Sequence, residues 1–336
     1  MTKVSVIGAG SWGMALAVLL INNKCEVKVW SYRKDQIEEL KTTGKSDKLP
    51  EIILPGELQF TDSIKEACET ADVILMAVPS KATRNTLESM KPYVGDNKII
   101  VTVTKGIEEK TLFTQSQIIE EVVGGSERIC VLSGPSHAEE VVRLKPTVVV
   151  AGSKSKATAE TIQNLFMNDF FRVYTSPDVT GIEVGAALKN VIALSAGMSD
   201  GLGFGDNAKA ALITRGIKEI SSLAVAMGGN PETLAGLTGV GDLIVTCSSM
   251  HSRNRMAGFY MGQGMTSDEA MKKVAMIVEG VYSAKAALAL AQKYEIQMPI
   301  VEQVNLVLFE NKPALEVVAA LMDRDKKSEV SFENWN

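Results

Sequence analysis

The chain has 336 residues, of which 46% are hydrophobic and 22% are charged, and its formal net charge is −5. This length predicts two domains with a full hydrophobic core, and the composition is that of an ordinary soluble protein. Negative net charge disfavours a nucleic-acid surface, no run approaches the ~18 apolar residues of a membrane span, and two histidines exclude a histidine-rich metal site. We therefore expect no nucleic-acid partner, no membrane insertion and no metal.

The first residues combine a strand, a glycine-rich turn and a helix. The apolar residues 4–7 lead into Gly8, Gly10 and Gly13, spaced G-x-G-x-x-G, and then into an alanine- and leucine-rich helix. In a dinucleotide-binding turn, Gly8 allows the tight turn, Gly10 lets a pyrophosphate approach the backbone, and Gly13 lets helix and strand pack closely. A second strand at Glu26–Trp30 follows at βαβ spacing, and this context predicts a dinucleotide site.

The same stretch has a second interpretation as a secretory signal, with Lys3 as its basic region and the apolar core behind it. Three glycines interrupt that core, the polar residues 22–24 end it, and no small-residue cleavage site follows. We therefore expect no signal.

Cysteine spacing bears on the cellular compartment. The four cysteines lie far apart and form no C-x-x-C pair, and three of them stand in apolar or helical contexts. We therefore expect buried free thiols in a protein of the reducing cytoplasm.

The end of the second strand bears on the choice of cofactor. An acidic residue there would bind the adenine ribose of NAD, but the sequence has Arg33 and Lys34 at this point, with Asp35 already in the next helix. A guanidinium can hold a 2′-phosphate with two charge-assisted hydrogen bonds, whereas a carboxylate would repel it. These residues favour NADP with NAD tolerated, and the alternative is a solvated basic helix start.

Strands and helices continue to alternate up to about residue 178. A capping box at Ser63 and Glu66 starts a short helix, and further helices are expected at residues 81–90 and 154–167. The further strands are expected at residues 71–78, 98–103, 129–132, 147–151 and 171–174. This alternation predicts an α/β fold with a doubly wound, largely parallel sheet.

After residue 178 the pattern changes to helices alone, so the predicted domains are residues 1–178 and 179–336. The expected helices are residues 179–199, 207–227, 231–237, 267–274, 282–293 and 300–309. Ligands of open α/β sheets bind at the carboxyl ends of the strands. Residues 8–13, Lys105 and residues 134–138 should therefore share one cleft, which the all-α domain closes.

Lys189 lies in the first of these helices among Ala, Gly, Leu and Val. Burial and nearby cations lower a lysine pKa, which suits a proton acceptor near neutral pH. A lysine that snorkels from a packed helix is an equally open alternative.

Polar residues in three other stretches suit an anionic ligand. Asp242 follows two glycines, in what we expect to be a loop rather than a helix. Residues 252–254 place a hydroxyl, a guanidinium and an amide in a row, which suits a phosphate, and the alternative is an exposed polar turn. Ser136 and Glu139 form a possible capping box, which would begin a helix whose N-terminus faces an anion.

One resemblance covers nearly the full chain in order. It is carried by Gly8-Ala-Gly-Ser-Trp-Gly13, Thr104-Lys105-Gly106, Ser133-Gly-Pro-Ser136-His-Ala138, Glu183-Val-Gly-Ala-Ala-Leu-Lys189-Asn190, Gly239-Val-Gly-Asp242-Leu and Ser252-Arg-Asn254. These motifs resemble the bacterial NAD(P)-dependent glycerol-3-phosphate dehydrogenase family. The resemblance implies a Rossmann-like domain, a helical substrate domain and usually a dimer. It also implies interconversion of sn-glycerol 3-phosphate and dihydroxyacetone phosphate, which feeds glycerophospholipid synthesis.

The resemblance further implies a role for each motif residue. Lys189 stands at the family's proton acceptor, we expect Asp242 and Asn190 to orient it, and Lys105 would polarise the C2 oxygen of the substrate. The substrate-binding positions are Lys105, Gly134, Ser136, Lys189, Asp242, Ser252, Arg253 and Asn254. The cofactor-binding positions are Gly8, Gly10, Ser11, Trp12, Gly13, Arg33, Lys105, Ala138, Arg253, Ile277 and Glu279.

Two other functions stay open at this point. One is a related dehydrogenase, such as a β-hydroxyacid dehydrogenase, that acts on a carboxylate rather than a phosphate. The other is a redox sensor that binds NADP(H) and regulates a partner without turnover. A buried lysine near an aspartate argues against the sensor, because a sensor needs no proton acceptor.

Overall fold

The computed structural model describes residues 1–50, 52–326 and 328–329, and its first part is built on one eight-stranded sheet. The strands are β1 (Lys3–Ile7), β2 (Glu26–Trp30), β3 (Gln59–Thr61), β4 (Val73–Met76), β5 (Ile99–Thr102), β6 (Ile129–Ser133), β7 (Thr147–Gly152) and β8 (Phe171–Ser176). Their order is β3-β2-β1-β4-β5-β6-β7-β8, and each neighbouring pair is parallel except β6 and β7. The predicted doubly wound, largely parallel sheet is confirmed.

Helices cover both faces of this sheet, which is why the central strands are apolar throughout. β4 and β6 are buried at every residue, as expected of strands that carry helices on both sides. The helices of this part are α1 (Ser11–Asn22), α2 (Lys34–Thr43), α3 (Ile64–Thr70), α4 (Thr83–Met90), α5 (Gln115–Val123), α6 (Ala138–Val141) and α7 (Lys156–Phe166).

In this part of the chain sequence reasoning missed the short elements β3 and α5, whose apolar pattern is too brief to identify. The capping box expected at the start of α3 is half formed. Ser63 accepts a hydrogen bond from the Glu66 N–H, but the Glu66 carboxylate pairs instead with Lys28 and with the Thr61 hydroxyl. Side chains of β2 and β3 therefore take the place of the Ser63 N–H as partners of the Glu66 carboxylate.

The second part of the chain is helical, as predicted, and α8 is its central element. Its helices are α8 (Val179–Gly201), α9 (Asp206–Ala226), α10 (Pro231–Ala235), α11 (Asp242–Ser248), α12 (Arg253–Gly262), α13 (Ser267–Val274), α14 (Glu279–Lys293), α15 (Pro299–Glu310) and α16 (Ala314–Met322). By length and composition α8 could cross a membrane, but 89% of its apolar window is buried inside the protein. It is packed as a core helix.

Close packing between α8 and α12 depends on glycines, which have no side chain to keep the two backbones apart. A Cβ on Gly197 would meet the backbone carbonyl of Arg255, and one on Gly258 would meet the carbonyl of Leu194. The two helices therefore touch backbone to backbone, which fixes the start of α12 relative to α8.

The two parts of the chain share their packing. The sheet ends at Ser176 and α8 begins at Val179, but Ile107 of the first part belongs to the hydrophobic cluster of the helices. The division at residue 178 therefore stays a proposal, and residues 330–336 of the second domain lie outside the described residues. All four cysteines are buried and free, as expected from their spacing.

A buried carboxylate joins α9 to the start of α15. Glu219 accepts hydrogen bonds from the backbone N–H groups of Ile300 (2.9 Å) and Val301 (3.3 Å). Burial raises the pKa of Glu219 to about 7, because these hydrogen bonds offset only part of the cost of a buried charge. Ionisation of Glu219 is therefore harder in the folded chain than in the unfolded one.

This arrangement predicts that Glu219 lowers stability as pH rises. The pKa of Glu219 in the folded chain lies above the ordinary value of 4.5. The contribution of the protonated Glu219 to stability is therefore complete below pH 4.5 and is lost as the pH rises through about 7. Glu219→Gln cannot ionise, so its free energy of unfolding relative to wild type should improve by about 2 kcal/mol between pH 5 and pH 8. Denaturant unfolding at several pH values measures this. A difference that does not change with pH would contradict the assignment.

Candidate active site

The glycine-rich turn between β1 and α1 has the space that a pyrophosphate needs. A Cβ on Gly8 (φ +124°) would lie 2.7 Å from the Ala77 carbonyl oxygen, and one on Gly13 would meet the carbonyl of Gly8. A Cβ on Gly10 would meet nothing within 4 Å. Two glycines thus close the turn, and the third leaves an open backbone at the start of α1.

The first turn of α1 offers donors to this open space. Gly10 is the N-cap and provides no side-chain hydrogen bond, so the first N–H groups, beginning at Ser11, point out of the helix. The indole N–H of Trp12 is buried and has no hydrogen-bond partner among the described residues. These unpaired donors fit a bound dinucleotide.

Arg33 lies at the end of β2 as predicted, but its charge is already paired. Its Nη2 lies 2.5 Å from an oxygen of Asp35, and 48% of the arginine side chain is exposed. Gln36 of α2 donates to the carbonyl of Ala9 in the glycine-rich turn, so α2 is tied to that turn. A 2′-phosphate at this point would compete with Asp35 for the guanidinium.

Three charged side chains meet where the sheet contacts the helices. Asp242 Oδ1 lies 2.6 Å from Lys189 Nζ, and Asp242 Oδ2 lies 2.8 Å from Lys105 Nζ. Lys105 follows β5, Lys189 lies in α8, and Asp242 is the first residue of α11. The exposed side-chain fractions are 1% for Asp242, 6% for Lys189 and 18% for Lys105. One buried carboxylate therefore holds two ammonium groups.

The protonation states in this cluster follow from burial and from the neighbouring charges. Burial lowers the pKa of Lys189 to about 8; the Asp242 carboxylate opposes this shift and the Lys105 ammonium adds to it. Burial raises the pKa of Asp242, but the two lysines outweigh it and hold that pKa below its ordinary value. The pKa of His137 is lowered by burial and then by Lys189. Lys189 is therefore the group of this cluster that titrates near neutral pH.

Two expectations about the surroundings of Lys189 are wrong. Asp242 does not lie in a loop, because a π-helical turn at Leu237–Gly241 leads directly into α11. Asn190 does not orient Lys189, since its amide donates to the Ala186 carbonyl. Adjacent residues on a helix point in different directions, and Asn190 faces α12 instead.

Sequence reasoning missed Thr246, whose hydroxyl lies 2.6 Å from Lys189 Nζ. Thr246 also donates to the backbone carbonyl of Asp242 one turn earlier in α11. The spacing i, i+4 from Asp242 could have identified Thr246, but only if the segment had been recognised as a helix.

The segment after β6 borders the same cluster. Lys105 Nζ lies 3.3 Å from the carbonyl oxygen of Gly134, and the Ser136 hydroxyl donates to the same oxygen at 3.0 Å. The expected capping box of Ser136 and Glu139 is wrong, because His137 is the N-cap of α6 and caps it without its side chain. Ala138 is the first residue of that four-residue helix and is buried.

The row Ser252-Arg253-Asn254 begins a helix and is not an exposed turn. Ser252 is the N-cap of α12 and accepts from the Arg255 N–H at 3.2 Å, so the backbone N–H groups of Arg253 and Asn254 point out of the helix. The side chain of Asn254 does not point to the same space. It donates to Asn190 and accepts from the Gly280 N–H, and so it joins α8, α12 and α14.

The start of α14 brings Glu279 to the sheet domain. Its carboxylate accepts from the Ser80 N–H (3.1 Å) and from the Ser80 hydroxyl (2.5 Å). Burial raises the pKa of Glu279, while Ser80, Arg253 and Lys81 oppose the shift. Ile277, just before α14, is partly buried. Glu279 therefore contacts Ser80 directly and lies near enough to Arg253 to feel its charge.

The described residues contain no group of three or more His, Cys, Asp or Glu side chains that could hold a metal ion. The glycine-rich turn and Lys105 follow the carboxyl ends of parallel strands in one sheet, and Asn190, next to Lys189 in α8, bonds to Asn254 in the first turn of α12.

Two family models match the chain, and they are described as the NAD-dependent glycerol-3-phosphate dehydrogenase N-terminus (residues 3–159) and C-terminus (residues 178–319). The glycerol-3-phosphate dehydrogenase [NAD(P)+] of Agathobacter rectalis is 58% identical over 100% of both chains, and that of Bacillus subtilis is 49% identical over 99% of both. The crystal structure of glycerol-3-phosphate dehydrogenase from Coxiella burnetii superposes with a TM-score of 0.93 at 36% identity, covering 96% of this chain and 99% of that one. The chain therefore belongs to the NAD(P)-dependent glycerol-3-phosphate dehydrogenase family.

Proposed function

We propose that the chain interconverts dihydroxyacetone phosphate and sn-glycerol 3-phosphate by hydride transfer with NAD(P), and so supplies glycerol 3-phosphate for phospholipid synthesis. The observation that carries this proposal is the Lys105–Asp242–Lys189 bridge, in which a residue after β5, a residue of α8 and the first residue of α11 share one buried carboxylate. Full-length relatives named glycerol-3-phosphate dehydrogenase [NAD(P)+] support it.

Lys189 is proposed as the acid and base of the reaction. With a pKa of about 8, Lys189 is mostly protonated at neutral pH but can lose its proton without a large cost. In the reductive direction Lys189 Nζ delivers a proton to the C2 oxygen, and in the oxidative direction it removes the C2 hydroxyl proton. The nicotinamide, when bound, supplies or accepts the hydride at C2.

The other side chains orient the two reactants. Asp242 Oδ1 and the Thr246 hydroxyl fix Lys189 Nζ. Lys105, which is held by the other carboxylate oxygen of Asp242, polarises the C2 oxygen of the substrate. The start of α12, with Arg253, holds the substrate phosphate together with Ser136. Asn254 contributes its backbone N–H, because its side chain is engaged with Asn190 and Gly280.

Further site positions belong to the same proposal. Gly134 borders the substrate, Ser252 caps the phosphate-binding helix, and the cofactor is held by Gly8, Gly10, Ser11, Trp12, Gly13, Arg33, Lys105, Ala138, Arg253, Ile277 and Glu279. We also propose a preference for NADP over NAD, a homodimer and a cytoplasmic location. Light scattering of the purified protein tests the dimer.

The central experiment is NADPH oxidation with dihydroxyacetone phosphate, run beside NADH and a panel of β-keto acids. Turnover of dihydroxyacetone phosphate alone supports the proposal. Turnover of the keto acids instead would assign a β-hydroxyacid dehydrogenase, and tight NADPH binding without any turnover would indicate a redox sensor.

Lys189→Ala should abolish turnover while NADPH still binds, because the lost group acts on the C2 oxygen. General acid–base groups contribute about 10²–10⁴-fold, so kcat should fall by at least that much. Asp242 keeps Lys105 as its partner, so folding should persist. Steady-state kinetics and NADPH fluorescence titration measure both effects. A variant that kept more than about a tenth of the wild-type kcat would show that another residue is the base.

Arg253→Ala should raise the KM for dihydroxyacetone phosphate, because it removes a charge-assisted phosphate contact worth roughly 1.5–3 kcal/mol. Arg253→Lys keeps the charge but loses the two-pronged geometry, so its KM should lie between those of the wild type and of Arg253→Ala. Phosphate-free dihydroxyacetone is the control substrate, and on it the three proteins should differ little. An equal loss on both substrates would mean that Arg253 is structural or serves only the cofactor.

Arg33→Asp should lower kcat/KM for NADPH at least about tenfold, since it removes a guanidinium and adds repulsion against the 2′-phosphate. NADH use should hold or improve, because a carboxylate can accept from the ribose hydroxyl. Lys34→Asp is the matched control, with the same charge change on a side chain that is 85% exposed. If Lys34→Asp changed the NADPH-to-NADH ratio as much as Arg33→Asp, general electrostatics rather than Arg33 would select the cofactor.

A further inference from the structure

The turn that carries Lys105 is held between two contacts, one with the Ser80–Glu279 pair and one with the first residue of α5. On one side, a Cβ on Gly106 would lie 2.6 Å from Ser80 Cβ and 3.6 Å from Glu279 Oε2, so the turn rests on the Ser80–Glu279 pair. On the other side, the side-chain amide of Gln115 donates to the Gly106 carbonyl at 3.0 Å. Movement of either contact would move Lys105.

Gln115 is itself fixed by Thr83 of α4, and its neighbour in α5 contacts α8. Its side-chain oxygen accepts from the Thr83 hydroxyl at 2.6 Å, and it is almost fully buried. Ser116, the next residue, donates its backbone N–H to Glu183 Oε1 at 2.8 Å and its hydroxyl to Glu183 Oε2 at 2.5 Å. Glu183 belongs to α8, so this contact crosses between the two parts of the chain.

Glu183 and Lys189 share one rigid element. They lie six residues apart in the buried helix α8, which separates them by about 9 Å along the helix axis. The turn after Lys105 also enters the helical core, because Ile107 packs in the same hydrophobic cluster as Val184. The helix that presents the proton donor therefore also holds the segment that presents Lys105.

We propose that Glu183 is a positioning residue of this reaction, which acts through Ser116 and Gln115 to keep the Lys105 ammonium on Asp242. This inference rests on the proposed function for its kinetic readouts. Burial raises the pKa of Glu183 while its hydrogen bonds to Ser116 oppose the shift, so a buried carboxylate is kept here only with close donors.

Loss of this contact has a defined electrostatic consequence at Lys189. The charged and titratable groups that interact with Lys189 are Asp242, Lys105, His137 and the Cys247 thiol. Lys105 lowers the pKa of Lys189 and shares its carboxylate partner. If Lys105 moves away, its positive charge no longer lowers the pKa of Lys189, and Asp242 no longer divides its negative charge between two lysines. Both changes raise the pKa of Lys189.

The test uses Glu183→Gln, with Ser116→Ala and Gln115→Met as milder changes along the same chain of contacts. The matched control is Glu219→Gln. It replaces another buried glutamate that accepts from backbone N–H groups at a helix N-terminus, but Glu219 is not part of the contacts that lead to Lys105. The first readout needs no turnover: NMR of isotope-labelled lysine, assigned with Lys189→Arg, follows the titration of Lys189. The second is the KM for dihydroxyacetone phosphate and the pH profile of kcat.

We expect Glu183→Gln to raise the pKa of Lys189 by about half a unit or more and to shift the kcat profile with it. KM should rise about tenfold or more, because Lys105 also contacts the substrate. Ser116→Ala and Gln115→Met should give smaller shifts of the same sign, and Glu219→Gln none. Combining Glu183→Gln with Ser116→Ala should add little, since both act through one contact.

The inference is overturned if Glu183→Gln melts at a lower temperature but keeps the wild-type Lys189 titration and KM, because that pattern is purely structural. If Glu183→Gln does not fold, unchanged titrations in Ser116→Ala and Gln115→Met overturn it equally. A wild-type protein without turnover of dihydroxyacetone phosphate would refute the proposed function instead, and the NMR titration would still decide the role of Glu183.

Discussion

The site depends on one buried carboxylate between two ammonium groups. Asp242 is almost fully buried, and it is ionised because Lys105 and Lys189 together outweigh the cost of burial. Each lysine in turn has the same carboxylate as its counter-charge, and Lys105 reaches it from the sheet while Lys189 reaches it from the helices. The ion pairs therefore join the sheet part of the chain to the helical part at the same place where they assemble the charged cluster.

Backbone packing makes this cluster precise. α8 is composed of small and apolar residues, and glycines let α12 lie directly on its backbone. The N-terminus of α12 therefore has a fixed position relative to Lys189. Asn254 reinforces this position by bonding to Asn190 and to the Gly280 N–H. The first turn of α12 and the part of α8 that carries Lys189 are thus held together by backbone atoms, which have no rotamer freedom to lose.

Sequence patterns predicted the elements that have a long or regular signal. The glycine spacing, the buried strands and the long helices were identified, because each depends on local chemistry. Asp242 was expected in a loop, since two glycines precede it. Gly239 is there instead for packing, because a Cβ on it would meet the backbone of Leu234. The contact is with a residue only five positions earlier, so the glycine serves a tight π-helical turn that continues into α11 rather than a loop.

The path of the backbone also explains why the expected contacts of Ser136 and Asn190 are wrong. Ser136 and Glu139 have the spacing of a capping box, but Gly134 takes φ +152° against the backbone of β7 and sets the path of the chain. The hydroxyl of Ser136 then turns back to the Gly134 carbonyl. Asn190 was expected to orient Lys189, whereas helix geometry sends the two side chains to different partners.

A lysine can serve both directions of a hydride transfer only within a limited pKa range. In water its proton is held too tightly to be returned near neutral pH, and burial alone could lower the pKa until no proton remained to donate. Asp242 opposes burial and Lys105 opposes Asp242, which leaves Lys189 with a pKa of about 8. Burial and then the positive charge of Lys189 lower the pKa of the neighbouring His137. The balance at Lys189 therefore depends on Lys105 remaining in contact with Asp242, and so on the turn that carries it.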